Sequence, residues 1–190
     1  MLDHSCQVQR HTHAERGVDL YETPEVATTA LLRVERLPHR LWEPAAGRGA
    51  IVRVLRQQHG FNVWATDIIN YGPHLNACED FLTVTDRRPR RAIVTNPPFK
   101  LAERFVARAL QLSPLVIMLL RLAFLESQRR SSILENCGLA RIHVFRKRLP
   151  MMHRDGWEGK KANSGMAFAW FVWDNRIPVR ILSPPTIDRI

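Results

Sequence analysis

Arg40-Leu41-Trp42-Glu43-Pro44-Ala45-Ala46-Gly47-Arg48-Gly49-Ala50-Ile51-Val52 runs from a short apolar stretch through an acidic residue and a two-glycine loop into a segment carrying Ile51, Val52 and Leu55 at helical spacing. Strand, glycine loop, helix is the nucleotide-binding turn of doubly wound sheets, where glycine permits a sharp turn and close approach of backbone to ligand. The third glycine of the dinucleotide fingerprint is missing and no Lys-Ser/Thr pair follows Gly49, so the loop supports neither NAD binding nor a P-loop. Glu43, at the strand's end, would repel a pyrophosphate. It suits a cation or an amine.

Downstream, Phe61 to Ile69 is the next strand, and it too ends in an acid. Asp67 lies 20 residues beyond Gly47, where an acidic side chain at the second strand's tip binds ribose hydroxyls. Cys78-Glu79-Asp80-Phe81-Leu82 then sets Asp80 where it could stand beside a bound base. In Ala92-Ile93-Val94-Thr95-Asn96-Pro97-Pro98-Phe99 a β-branched run stops at an amide, two prolines and a ring, a buried strand delivering a rigid loop. Proline lacks an N–H and pushes its predecessor towards extended backbone, which leaves the carbonyls of Asn96 and Pro97 uncommitted. The Asn96 amide, a free carbonyl and the Phe99 ring suit a flat substrate with an exocyclic amine: the acceptors take the N–H groups and the ring stacks on the π face.

Upstream, Tyr21-Glu22-Thr23-Pro24-Glu25 reads as a helix start, with Thr23 the N-cap, Pro24 the first helical residue, and Val26, Ala30, Leu31 and Val34 the apolar face. Thr23 either caps the helix or faces an anionic ligand group together with the free N–H groups behind it. After Phe99, a helix over Leu101 to Leu112, a buried strand over Leu115 to Leu120, a helical segment over Phe124 to Asn136, and strands over Arg141 to Phe145 and Met166 to Trp173 continue the alternation. This pattern predicts an α/β sandwich with a mostly parallel sheet, its ligand site at the carboxyl ends of the strands, where Glu43, Asp67, Asp80 and Asn96 gather.

The 190 residues, 45% apolar and 24% charged, fit one domain over 19–175, with a flexible tail at 1–18 and an extension at 176–190. Lys and Arg number 28 against 18 Asp and Glu, a net charge of +10, which implies a polyanionic partner, nucleic acid ahead of a membrane surface. No apolar run spans a bilayer and the N-terminus lacks a signal-peptide core, so a cytoplasmic location without a membrane partner is expected. Three widely spaced cysteines indicate neither a disulfide framework nor a metal knuckle, and His4, Cys6, His11 and His13 read as a solvated tail, so no metal is expected. Arg87-Arg88-Pro89-Arg90-Arg91 lies at the start of a strand, opposite the ligand edge, and reads as a solvated turn. Between the last two strands, six of the sixteen residues 146–161 are Lys or Arg. Arg146, Lys147, Arg148, His153, Arg154, Trp157, Lys160 and Lys161 have the composition of a phosphate-gripping and base-stacking loop.

From Tyr21 to Trp173 the chain resembles the class I S-adenosylmethionine-dependent methyltransferases, and among them the N6-adenine amino-methyltransferases, in motif content and motif order. The resemblance implies a Rossmann-like sandwich with a mostly parallel seven-stranded sheet and S-adenosyl-L-methionine as cofactor. It implies that Thr23 contacts the amino-acid end of that cofactor and that Glu43, Pro44, Ala45, Gly47 and Gly49 form the cofactor loop. Asp67, with Ile68 beside it, takes the place of the ribose-binding acid, and Asp80-Phe81 that of the pair contacting the cofactor's adenine. Asn96-Pro97-Pro98-Phe99 matches the catalytic tetrapeptide, Asn96 also touching the cofactor. The resulting expectation is methyl transfer to the N6 amine of adenine in DNA, with the 146–161 loop as the main nucleic-acid contact and no room for a separate target-recognition domain. The same chemistry on RNA, a protein-glutamine acceptor, and a cofactor-binding subunit dependent on a partner remain open, as does the oligomeric state.

Overall fold

The computed structural model describes residues 20–85, 91–151, 165–176 and 186–190. Its elements in chain order are α1 (Glu25–Val34), β1 (Arg40–Glu43), α2 (Ala50–Arg53), β2 (Asn62–Asp67), β3 (Ala77–Cys78), β4 (Ala92–Thr95), α3 (Ala102–Leu112), β5 (Leu115–Arg121), α4 (Ser131–Glu135), β6 (Leu139–Val144), β7 (Phe168–Asp174) and β8 (Thr186–Arg189). The strands form one sheet in the order β3-β2-β1-β4-β5-β7-β6-β8, in which β7 alone runs antiparallel to its neighbours.

The apolar runs place the core on both faces of this sheet. Successive strand side chains point to opposite faces, so Leu115, Ile117 and Leu119 of β5 join one cluster while Val116, Met118 and Leu120 join the other. Ala27 and Leu31 of α1 and Ile51 and Leu55 pack on the first face; Phe105, Val106 and Ala109 of α3 and Ile133 of α4 pack on the second. Two tryptophans of β7 fasten the layers. Trp170 Nε1 donates to the Ala27 carbonyl at 2.9 Å on one side, and Trp173 Nε1 to the Ile133 carbonyl at 2.7 Å on the other. A buried indole N–H needs such an acceptor, so each ring fixes a helix as it fills the core.

Strand order reverses between β1 and β4, which are hydrogen-bonded neighbours although β2 and β3 intervene in sequence. The carboxyl ends of β1 and β4 therefore flank the crevice where doubly wound sheets bind ligands.

Several expectations are corrected. The sheet has eight strands rather than seven, because Thr186–Arg189 of the C-terminal extension pairs parallel with β6. The helix after Gly49 is α-helical only to Arg53 and continues as a π-helical turn over Val54–Gln58. There the Arg56 guanidinium donates to the His74 and Val63 carbonyls at 2.8 and 2.6 Å. The single helix expected over Phe124 to Asn136 is broken into 3-10 turns at Leu122–Leu125 and Gln128–Arg130 before α4, with Ser127 extended between them. Thr23 is not the N-cap of α1: Pro24 holds that position, and the Thr23 hydroxyl is engaged elsewhere. Of the basic run before β4, residues 87–90 lie outside the described residues, while the Arg91 guanidinium donates to the Leu41 and Asn62 carbonyls at 3.2 Å, tying the starts of β1 and β2 together.

Candidate active site

The ends of β1, β2 and β4 deliver Glu43, Asp67 and Asn96 to one cavity of about 230 Å³. Its wall also includes Tyr21 and Thr23 from the segment before α1, Ala45 and Gly47 from the β1 loop, Ile68, and Pro97, Pro98 and Phe99.

The loop after β1 is held from three sides. Gly47 N–H donates to Asp67 Oδ2 at 2.8 Å, His74 Nε2 lies 2.8 Å from the Gly47 carbonyl oxygen, and Ala46 N–H reaches the Thr66 carbonyl at 3.0 Å. Gly49 has φ +80°, a left-handed conformation that other residues adopt only with strain, and a Cβ there would stand 2.8 Å from the His74 ring. Asp67 thus acts first as an organiser of the loop, its other oxygen accepting the Ile69 N–H at 3.0 Å. Each carboxylate oxygen retains a second lone pair for a ligand hydroxyl.

Glu43 is 2% exposed, and its Oε2 has no hydrogen-bond partner. Burial, and then the negative charge of Asp67, push its carboxyl well above the ordinary range, against the weaker opposing effects of the Val52 amide and Arg56. A buried carboxyl with an orphaned oxygen beside a second acid is a position for a cation or a donor.

Asn96 is oriented through its nitrogen. Nδ2 donates to the Tyr21 carbonyl at 3.0 Å and to Thr23 Oγ1 at 3.1 Å. A carbonyl only accepts, so the amide nitrogen must face Tyr21, and Oδ1 is left as a buried acceptor without a partner. The Thr23 hydroxyl, expected on the helix end, instead reaches across 73 residues of sequence to lock this amide.

Phe99 opens a 3-10 turn, and its ring is not bare. Tyr21 lies 4.6 Å away centroid to centroid at 31°, Phe168 lies 5.6 Å away, and the Arg121 guanidinium sits over the ring at 4.4 Å. A base stacking on Phe99 must therefore share or replace one of these neighbours, a departure from the open face read from the sequence.

Four other expected positions do not line the cavity. Pro44 is buried at the start of the loop and Gly49 shapes its turn. Asp80 Oδ1 accepts the Leu82 N–H at 2.9 Å, a local turn contact. Phe81 is 2% exposed and packs at 5.2 Å from Trp42 and 4.9 Å from Phe105, because its ring completes the core between β1 and α3. Conversely, Leu20, Tyr21, Ile69 and Tyr71 line the cavity without having been singled out; their closeness to Thr23 and Asp67 in sequence was the available signal. Of the basic loop, Arg146, Lys147 and Arg148 are exposed just beyond the carboxyl end of β6, at the cavity's edge of the sheet; His153, Arg154, Trp157, Lys160 and Lys161 lie outside the described residues. Among the described residues no cluster of His, Cys, Asp and Glu is placed to hold a metal, and no helix is long and apolar enough to cross a membrane.

No protein-family model matches this chain, and no curated protein matches it in sequence. Solved structures do match. PH1948 from Pyrococcus horikoshii, assigned as an RNA methyltransferase, is similar with a TM-score of 0.62 at 12% identity, covering 81% of this chain and 85% of that one. The 23S rRNA methyltransferase ErmE is similar at 0.55 and 16%, covering 80% and 68%. The plantazolicin methyltransferase BpumL, solved with SAH, is similar at 0.52 and 10%, covering 79% and 82%. The chain has the α/β Rossmann-like fold of the class I methyltransferases, built on a mostly parallel sheet.

Proposed function

We propose that the protein is an S-adenosylmethionine-dependent methyltransferase whose acceptor is the exocyclic N6 amine of adenine in DNA. The observation that carries this reading is the Asn96 amide, clamped through Nδ2 so that Oδ1 is a fixed, unpartnered acceptor in the wall of the cavity.

The cavity suits the cofactor. Glu43 offers an orphaned buried oxygen to a cationic group, Asp67 has lone pairs left for ribose hydroxyls, and the Gly47–Gly49 turn brings backbone close to the ligand. Thr23, Ala45 and Ile68 complete the cofactor wall. When bound, S-adenosylmethionine supplies a methyl group activated by a sulfonium centre. The protein's part is positioning and charge. Asn96 Oδ1 accepts one N–H of the acceptor amine and the Pro97 carbonyl the other, which favours a pyramidal nitrogen and disperses positive charge as that nitrogen attacks. Because Tyr21 and Thr23 already hold the amide, no reorganisation is needed at that moment. Pro97 and Pro98 stiffen the loop that carries both acceptors. Arg146, Lys147 and Arg148 provide positive charge for a nucleic-acid backbone at this edge, and the sequence that follows adds the cations Arg154, Lys160 and Lys161 and, in His153 and Trp157, rings suited to stacking on bases.

The second reading is the same chemistry on RNA, supported by the likeness to PH1948 and to the 23S rRNA enzyme ErmE. Incubation of the protein with methyl-labelled S-adenosylmethionine and, separately, duplex DNA, single-stranded DNA, total RNA and protein extract, followed by nucleoside mass spectrometry, tests both. N6-methyladenine from DNA is expected. Label in RNA alone transfers the mechanism to the second reading, and label in protein alone overturns both.

A further inference from the structure

Phe99 also lines a second cavity of about 200 Å³, together with Leu120, Arg121, Phe124 and Arg130 among others. The two cavities share only Phe99. Arg121 is the last residue of β5, so it emerges at the carboxyl edge beside Asn96-Pro97-Pro98-Phe99. Its guanidinium rests on the Phe99 ring at 4.4 Å, and Arg130 rests on Phe124 at 4.5 Å. Both side chains bury an Nε that makes no hydrogen bond.

The local charge is unbalanced. Among the described residues the carboxylate paired here is Glu103: Arg129 takes it at 2.9 Å and Arg130 at 3.5 Å, while one Arg130 nitrogen donates to the Phe124 carbonyl at 2.9 Å. Among the described residues the Arg121 side chain makes neither an ion pair nor a hydrogen bond. Two arginines thus share one carboxylate and Arg121 has none, leaving a surplus of positive charge among the described residues of a cleft with aromatic walls. Aromatic faces hold a guanidinium plane without using its donors, so the terminal nitrogens of Arg121, and the one of Arg130 that does not serve the Phe124 carbonyl, stay available for a planar or tetrahedral anion. Arginine's fixed fork matches phosphate oxygens in particular.

We propose that Arg121 and Arg130 grip a backbone phosphodiester of the strand that carries the acceptor base, so that the polyanion is anchored in one of the two cavities that meet at Phe99 while the cofactor lies in the other. This rests on the reading that the acceptor is a nucleic acid. It adds a specific anchor, formed by β5 and the turn before α4, to the loop after β6.

The test is equilibrium binding of a fluorescein-labelled 12-nucleotide single-stranded DNA by anisotropy, from 50 to 300 mM KCl, using wild type and Arg121→Gln, Arg121→Lys, Arg130→Gln and Arg33→Gln. Arg33 lies in the last turn of α1, two residues before Glu35, which pairs with Arg141 near the start of β6, and it lines neither cavity, so it serves as the control. Each lost phosphate contact lowers the magnitude of the slope of log K against log salt by about 0.7. That drop is expected for Arg121→Gln and Arg130→Gln, with wild-type slopes for Arg121→Lys, which keeps the charge, and for Arg33→Gln. S-adenosylhomocysteine affinity, measured in parallel by calorimetry, should stay within about threefold of wild type for Arg121→Gln, as separate cavities require. Wild-type binding with a slope unchanged in Arg121→Gln overturns the anchor and spares the nucleic-acid reading. A wild type with no salt-dependent binding to this DNA or its RNA counterpart overturns both.

Discussion

Replacement of Glu43 by Gln tests the electrostatics of the cofactor cavity. The side chain is 2% exposed, one of its oxygens has no partner, and burial together with Asp67 raises its carboxyl's affinity for a proton. Two consequences of opposite sign follow. For an acid whose folded pKa is raised, both states are neutral below about pH 4; above that the unfolded chain ionises and folding is penalised. Glu43→Gln keeps the shape and removes the ionisation, so the variant gains stability relative to wild type as pH rises from about 4 to 7. Cofactor affinity moves the other way. A cation facing Glu43 favours the carboxylate, and losing one charge-assisted contact costs about 1.5–3 kcal/mol, roughly a 10- to 150-fold weaker Kd. Wild-type affinity should also tighten with rising pH, because binding expels the Glu43 proton, and this dependence should flatten in the variant. Calorimetric titration of S-adenosylmethionine between pH 5.5 and 8.5, with denaturant melts at pH 4 and 7, measures both. An unchanged Kd and pH profile in Glu43→Gln, or a variant equally destabilised at both pH values, refutes the reasoning.

Gly49→Ala forces a left-handed alanine and drives its Cβ into the His74 ring, costing about 1–2 kcal/mol and about 2–8 °C in Tm, with weaker cofactor binding; a thermal melt matching wild type contradicts this. Asp174, buried at the end of β7, is drawn down to about 2 chiefly by the hydrogen bonds of Arg176, with Arg141 assisting against the effect of burial. A depressed acid stabilises the fold above its unfolded pKa near 4, and the benefit fades as pH falls towards 2. Since Arg176 is half exposed, Arg176→Gln should cost only about 1 kcal/mol at pH 7, with the difference vanishing near pH 2; urea melts across that range check the sign.

Much of this architecture is legible in local sequence, because local rules and tertiary packing agree there. The run Leu115 to Leu120 alternates between two buried faces, so an unbroken apolar string is what a central strand requires. Gly47 and Gly49 occupy left-handed backbone, and the proline pair after Asn96 stops β4 where the cavity begins. What escaped depends on distant partners. Thr23 has the composition of a cap, yet its hydroxyl serves an amide 73 residues away. Phe81 sits in a motif-like position, but its ring is drawn into the core against Trp42 and Phe105. The helix expected after β5 is interrupted where Arg130 donates to the Phe124 carbonyl, a contact no periodicity encodes. β8 has one buried neighbour strand and four exposed residues, so it lacks the apolar alternation that marks a strand in sequence.

In the proposed function Asn96 carries the chemistry and, although it lines the same cavity and is expected to touch the cofactor, Glu43, Asp67 and the Gly47–Gly49 turn supply most of the cofactor's hold. Single-turnover methyl transfer by Asn96→Ala, with S-adenosylhomocysteine affinity and circular dichroism measured on the same preparation, tests this division of roles most directly. Removing a preorganised acceptor at the reacting nitrogen predicts transfer slowed by about 10²–10³-fold, with a folded protein and an affinity within about threefold of wild type. Transfer at the wild-type rate by a folded Asn96→Ala protein would contradict the account.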